Sequence, residues 1–422
     1  MRHGPGPTFL VSRLDWTVGL GGYYADDLQA IQEGAEPDGL VYQGASRTRG
    51  HRRVRDPSLA VLVRVADSEG HHGWGDVVAP QYSGFGGRDL PIDPPALSGQ
   101  LAIVRDALTN AGVLTYSTAC VLVESLRTSS GSGLHAGVRY GVSQALLALS
   151  ATVSGETQLC VLCHITQVAA PQAVPIYAQS GEERRRNVDK MILKRVDVLP
   201  HGLLNSPSLF GQRGELFLDY ARWVRDRVLK LRDDEAYRPL LHFDVYGVMG
   251  LVTRGSPSAM ADLCAQLEET CRPFSVQLES AVYGATSAET IERVGALHRI
   301  LETRGISVSL VADDFCNDLD DVRAFVQQGV VDMIQLKMPD MGTLTNTIEA
   351  ARICRLGGVG VFVGGSCTET EVSARMSANV AMAVDADQVL AKPGMGVDEG
   401  VLIVGNEMAR SLLEWDLARV VQ

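Results

Sequence analysis

The chain has 422 residues, 45% of them hydrophobic and 21% charged, and 38 basic against 50 acidic side chains leave a formal net charge of −12. That length exceeds one ordinary core and predicts two domains, while an acidic balance without a basic stripe argues against a nucleic-acid partner. No apolar run approaches the roughly 20 residues of a membrane helix, and the N-terminal MRHGPGPTFLVSRLDW lacks the apolar centre of a signal peptide, so a cytoplasmic protein with no membrane partner is expected.

Residues 1–165 read as a mixed α+β unit. Its basic run RTRGHRRVR (47–55) predicts a solvated loop between elements. SLAVLVRVADSEGHHGWGDV (58–77) predicts a hairpin that turns at Asp67, Ser68, Glu69 and Gly70. GVRYGVSQALLALSATVSG (137–155) places Val138, Val142, Ala145, Leu146 and Leu149 on one helical face, with Gly155 as its stop. Cys160 and Cys163 have CxxC spacing, but no second pair or histidine follows at zinc-site distance. Further on, Cys264 and Cys271 read as buried small hydrophobes.

From about residue 172 the rhythm changes, and 166–422 reads as short apolar strands alternating with helices. The candidate strands are VPIYAQ (174–179), KMILKRVDV (190–198), LLHFDV (240–245), SVQLE (275–279), SVSLVAD (307–313), DMIQLK (332–337), GVFVGG (360–365) and QVLA (388–391). Intervening helices carry the expected period, with Ile291, Val294, Leu297 and Leu301 on one and Val322, Phe325 and Val326 on another that Gly329 ends. Eight such units predict a parallel (β/α)8 barrel, an α/β fold whose chemistry sits at the C-terminal ends of the strands. Asp244, Glu279, Asp313, Gln335 and Lys337 fall at such ends, as do Gln179 and the GGSC segment (364–367).

Each acid alone is as readily a helix N-cap or a partner for a nearby lysine. Three at one depth, each about one βα unit from the next, point instead to a divalent cation, because unpaired acids are costly at buried strand ends. The oxygen-only donor set favours Mg²⁺ over zinc. Lys337 is either a counter-ion to these acids or, with its pKa pushed down by burial and a nearby cation, a base at neutral pH. Such a base beside a metal serves proton removal α to a carboxylate, the cation stabilising the charge that develops. His201 by itself reads as structural more readily than functional, as a lone histidine does. Amides at the mouth such as Gln81, Gln179 and Gln335 suit a ligand carrying carboxylates or an amine. GGSCTET offers backbone N–H groups and the Ser366 and Cys367 side chains as a carboxylate cradle. KPGMGVDEG (392–400) is a turn or a lid and lacks the Gly-Lys-Ser/Thr end of a P-loop.

Along nearly its whole length the chain resembles the methylaspartate ammonia-lyases of the enolase superfamily. The segments that carry the resemblance are QYSGFGGRD (81–89), VPIYAQSG (174–181), NVDKMILKRVDVLPH (187–201), HFDVYG (242–247), LVADDFCN (310–317), IQLKMPDMG (334–342), GGSCTET (364–370) and QVLAKPGMGVDEG (388–400). The resemblance implies an N-terminal α+β capping domain (1–165) over a modified (β/α)8 barrel (166–422), a homodimer, and dependence on Mg²⁺ with K⁺ as monovalent activator. It implies elimination of ammonia from threo-3-methylaspartate to give mesaconate. By this likeness Asp244, Glu279 and Asp313 hold the metal. Lys337 takes the C3 proton, and His201 works from the opposite face. Gln179, Gln335, Ser366 and Cys367 contact the substrate carboxylates, and Gln81 holds the amine. The chain departs from the family at Ser280 and Ala281, at Asp314 in place of a glutamate, at Phe362 in place of a tyrosine, at Ser366 in place of a threonine, and in the loop MGTLTN (341–346). The acid–base and metal groups all persist, while the pocket lining has changed. Alternatives are a racemase, epimerase or dehydratase acting on another carboxylate substrate, or a non-catalytic binding protein that keeps the fold. The last of these predicts a missing member of the proton-transfer set, and none is missing.

Overall fold

The computed structural model describes residues 7–420. Residues 1–6, on which the expectation of no signal peptide partly falls, lie outside the described residues. The expected hairpin is the centre of the N-terminal sheet. Strand β1 (Thr8–Asp26) pairs antiparallel with β2 (Arg55–Asp67), β2 turns into β3 (His72–Val77), and β4 (Val113–Thr115) extends the other edge of β1. The turn is held by Asp67, whose side chain accepts the N–H groups of Glu69 and His71, each at 2.9 Å. Alternation along β2 buries Val61, Val63 and Val65 on one face. The helix Ala136–Ser154 packs against the sheet and ends at Gly155, in the left-handed region at φ 66°. It lies so close to β3 that a Cβ at Gly75 would fall 2.2 Å from the Gly141 carbonyl oxygen.

The run 47–55 is largely the exposed loop its charge predicts, but Arg55 departs from that expectation. It opens β2, is buried, and forks onto both Asp26 oxygens at 2.7 Å. A bidentate carboxylate partner is what lets the guanidinium leave water.

Eight parallel strands then close into a barrel. They are β5 (Ile176–Tyr177), β6 (Val198–His201), β7 (Leu240–Asp244), β8 (Val276–Glu279), β9 (Val308–Ala312), β10 (Met333–Lys337), β11 (Gly360–Gly364) and β12 (Gln388–Leu390), with β12 bonded back to β5. The second strand is not where the apolar run suggested. Residues 190–193 belong to the helix Arg184–Leu193, and β6 starts at Val198. Val188, Met191 and Ile192 are buried on that helix, an i, i+3, i+4 set that a strand reading overlooks. Other expected helices are present. Ser287–Arg304 buries Ile291, Val294, Leu297 and Leu301, and Leu319–Gln328 buries Val322 and Phe325 before Gly329 at φ 58°. All eight cysteines are free and buried. Among the described residues no single helix is long and apolar enough to cross a membrane.

The N-terminal sheet rests on the barrel mouth through one loop. Within 366–370, Ser366 Oγ accepts the Gln81 N–H at 2.8 Å, Thr368 Oγ1 donates to the Ala79 carbonyl at 2.6 Å, and the Glu369 carbonyl accepts the Gly22 N–H at 2.9 Å. Thr370 Oγ1 donates to Asp76 at 2.5 Å while capping the helix Glu371–Ala383.

Candidate active site

Strand register assembles the acids. Asp244 stands directly across from Glu279 in the β7–β8 ladder, and Asp313 lies two residues beyond Val311, the partner of Glu279 on β9. One oxygen from each of the three carboxylates lies within 4.8 Å of the others, and all three residues are buried. Tight left-handed turns follow these strand ends, with Tyr246 at φ 48°, Ser280 at φ 55° and Phe315 at φ 65°. Non-glycine residues hold such angles at a cost of about 1–3 kcal/mol, tolerated where the surroundings enforce them. Here the enforced feature is an inward-pointing carboxylate.

Burial raises the pKa of Asp244 far above the ordinary carboxylate range, and the neighbouring Glu279 and Asp313 charges raise it further. Glu279 is raised in the same way, by burial and then by Asp313. His242 Nε2 approaches Glu279 Oε2 to 2.7 Å, yet neither atom has a hydrogen-bond partner. Three buried carboxylates that can each bring one oxygen within 4.8 Å of the others, a set of oxygen ligands only, fit a hard divalent cation such as Mg²⁺.

Lys337 Nζ donates to Asp313 Oδ2 at 2.7 Å. Burial and then Arg88 pull its pKa down, but the Asp313, Asp314 and Asp340 charges outweigh them and leave it raised. The expected lowering therefore does not come from these side chains, because three carboxylates hold the ammonium form. Arg88, delivered by the N-terminal domain and fully buried, fans out to Asp313 at 3.1 Å, Asp340 at 2.8 Å and Asp314. Tyr283 also donates to Asp314.

β6 and β10 are four strands apart in the ring of eight, so His201 and Lys337 face one another across the mouth. His201 is left-handed at φ 69° and buried. Burial lowers its pKa to about 3, with the His242 and Lys337 charges acting in the same direction, so the ring is neutral. Its Nδ1 accepts the Leu203 N–H at 3.3 Å, which puts the ring proton on Nε2. That atom lies 3.1 Å from the Tyr246 hydroxyl and 3.6 Å from Asp244.

The amides divide their roles. Gln335 Nε2 donates to Glu279, and Gln81 Nε2 donates to Asp26 at 2.9 Å, which turns Gln81 Oε1 into the free, accepting end. Gln179 Nε2 is buried without a partner. In the GGSC loop the Gly365 N–H is given to Gln335 Oε1 at 3.4 Å and the Ser366 N–H to Glu369 Oε2 at 2.8 Å, so these two backbone donors of the expected cradle are already engaged. Gly365 is required for another reason: a Cβ there would sit 2.0 Å from Glu369 Oε2 and 2.1 Å from Lys392 Nζ, the members of a buried ion pair. KPGMGVDEG is thus structural at its first residue. Ser366 and Cys367 still present their side chains to the mouth, where burial pushes the Cys367 thiol well up, so it is not a thiolate. The divergent loop 341–346 faces the N-terminal domain, its Thr343 N–H bonded to Glu124 at 2.7 Å and its Leu344 N–H to Ser143 at 3.0 Å.

Nine of the ten residues singled out from the sequence line one cavity, and Glu279 lies beneath it against the other acids. Sequence reasoning missed Arg88, Tyr177, His242, Tyr246 and the Lys392–Glu369 pair. Alternation held a signal for two of them, because Tyr177 and His242 lie two residues before Gln179 and Asp244 and so face the same interior.

A capped barrel with three acids on consecutive strands and a lysine on the next is the arrangement that the enolase-superfamily resemblance implies. Its shape agrees with a muconate lactonizing enzyme from Pseudomonas fluorescens, at TM-score 0.60 and 14% identity, a likeness of fold alone. The family models for the methylaspartate ammonia-lyase N-terminus and C-terminus match residues 10–167 and 168–416. Methylaspartate ammonia-lyase of Clostridium tetanomorphum is 40% identical over 404 residues, covering 94% of this chain and 96% of that one. The crystal structure of the Citrobacter amalonaticus methylaspartate ammonia lyase containing (2S,3S)-3-methylaspartic acid superposes at TM-score 0.91 with 38% identity, over 96% of this chain and 100% of that one. The Mg complex of the Clostridium tetanomorphum β-methylaspartase superposes at 0.88 with 37% identity, over 97% and 100%. The chain belongs to the methylaspartate ammonia-lyase family.

Proposed function

We propose that the protein is a Mg²⁺-dependent carbon–nitrogen lyase that eliminates ammonia from threo-3-methylaspartate, or a close 2-aminodicarboxylate, to give mesaconate. The observation that carries this reading is the buried Asp244, Glu279 and Asp313 cluster sharing one mouth with Lys337, with His201 opposite. Family membership and the relatives named above support the substrate class. Asp244, Glu279 and Asp313 are the residues that would hold Mg²⁺, which when bound supplies positive charge to offset the acids and the charge developing on the substrate carboxylate. Lys337, in its base form, removes the C3 proton, and ammonia leaves from C2 with the electrons of the C–N bond. The neutral His201 presents its Nε2–H as a donor from the opposite face. Gln179, Gln335, Ser366 and Cys367 bind the carboxylates, and Gln81 Oε1 accepts from the amine.

The same reading takes 1–165 as the capping domain and 166–422 as the barrel domain. It takes the assembly as a homodimer, K⁺ as a monovalent activator and the cytoplasm as the compartment, each in line with the family resemblance. Racemisation or epimerisation needs a second base, and a histidine whose Nδ1 already accepts a backbone N–H and whose Nε2 carries the proton is a donor instead.

The test follows ultraviolet absorbance of the conjugated product when the protein meets (2S,3S)-3-methylaspartate, Mg²⁺ and K⁺. Mesaconate should form, should vanish with EDTA, and should fall by about 10²–10⁴-fold in Lys337→Ala, the range a general base contributes. A folded, Mg²⁺-binding protein that releases no ammonia would overturn the reading.

A further inference from the structure

Most buried polar groups at the mouth are paired, but the Tyr177 hydroxyl is not. Tyr177 is 0% exposed, lines the cavity, and its hydroxyl has no hydrogen-bond partner. Its ring is locked from two sides. It stacks on His242 with centroids 4.3 Å apart, and the Phe362 ring packs against it in a T-shape at 5.3 Å. The hydroxyl therefore has a fixed direction and no protein acceptor to turn toward. Two residues on, Gln179 Nε2 is likewise a buried donor without an acceptor, and strand alternation places both side chains on the interior face. Two preset donors without acceptors mark the place of an anionic oxygen, because a buried O–H or N–H left unmade is destabilising until a ligand completes it. Phe362 stands where the family commonly has a tyrosine and brings no hydroxyl here; Tyr177 does.

We infer that Tyr177 is a substrate-binding residue of this enzyme, its hydroxyl donating, beside Gln179, to a carboxylate oxygen of the bound dicarboxylate. The inference rests on the lyase reading above and adds a specificity contact to it.

Tyr177→Phe removes the hydroxyl and keeps the stacked ring. With Mg²⁺ present, mesaconate and (2S,3S)-3-methylaspartate are titrated calorimetrically into both proteins, and both are melted without ligand. Tyr177→Phe should bind each about tenfold more weakly, equivalent to about 1.4 kcal/mol, with KM raised more than kcat falls. Its ligand-free melting temperature should be unchanged or higher, since a hydroxyl without a partner has been removed. Wild type that binds with Tyr177→Phe binding equally well overturns the inference alone. So does a lower ligand-free melting temperature, which would mean the hydroxyl already had a partner. Wild type that binds neither ligand and releases no ammonia overturns both the lyase reading and the inference.

Discussion

Lys392 and Glu369 form an ion pair beneath the loop that carries Ser366 and Cys367, both side chains 0% exposed and Nζ 2.7 Å from Oε2. Lys392 also donates to the Gly364 carbonyl at 3.0 Å, while Glu369 accepts from the Ser366 N–H and the Tyr140 hydroxyl, each at 2.8 Å. Lys392→Met keeps the length of the side chain and removes its charge. At an effective dielectric of about 20, charges at that separation attract by about 6 kcal/mol. Desolvation cancels much of this: burial draws the Lys392 pKa below the ordinary lysine range despite Glu369. Removing only one partner, however, leaves the glutamate charged and buried, which costs about 3–5 kcal/mol. That is about a fifth or more of the stability of a typical domain. The double change Lys392→Met with Glu369→Gln removes both charges and should cost less than the sum of the single changes by about 1–3 kcal/mol. Urea unfolding midpoints at constant slope give these values, and KM should rise in the single variant as the Gly364–Cys367 loop shifts. A loss below about 1 kcal/mol in Lys392→Met, or strict additivity in the cycle, would refute the reasoning, because either means the pair is solvated or uncoupled.

Mg²⁺ at a hundredfold excess over its Kd should add about 2.7 kcal/mol to stability, seen as a higher melting temperature; Asp313→Ala should abolish that rise, and a rise that survives would place the metal elsewhere. Asp76 gives a pH signature: burial raises its pKa from 3.8 to about 6 despite the Thr370 hydrogen bond. Below about pH 3 it is protonated whether folded or unfolded and carries no penalty. Between about pH 4 and 6 only the unfolded chain readily ionises, so stability falls as pH rises, by about 3 kcal/mol in total. Asp76→Asn should therefore be more stable than wild type at pH 8 and equal to it at about pH 3 in denaturant melts, and an equal gain at both pH values would contradict the sign. Gly75→Ala drives a methyl group to 2.2 Å from the Gly141 carbonyl, which should lower stability by about 1–3 kcal/mol; an unshifted melting temperature would mean the helix does not lie on β3 as described.

Much of this molecule could be read along the chain. Hairpin 58–77 shows as an apolar run, a turn and a return strand, and the helix 136–154 as a 3.6-residue stripe ended by glycine, because both depend on neighbours a few residues apart. Asp244, Glu279, Asp313 and Lys337 stand out because acids and a lysine at strand ends violate the apolar pattern around them. The second barrel strand is hidden for the converse reason. Val188, Met191 and Ile192 are apolar at a spacing that serves a helix, and only the packing of that helix on the barrel decides between the two.

What depended on tertiary structure lies where distant segments meet. Arg88 belongs to the N-terminal domain, yet it binds Asp313, Asp314 and Asp340 of the barrel. Arg55 in a basic run looks solvated until Asp26 closes on it. The glycines of GGSC look like a ligand cradle until Lys392 and Glu369 fill the space behind them. Charge and hydrogen-bond partners are chosen by three-dimensional neighbours, so the protonation of Lys337 and His201 and the spare hydroxyl of Tyr177 follow from burial and contact. Local sequence carries periodicity and the residue types that chemistry requires; only the closed barrel and its cap decide which of those residues face one another with water excluded.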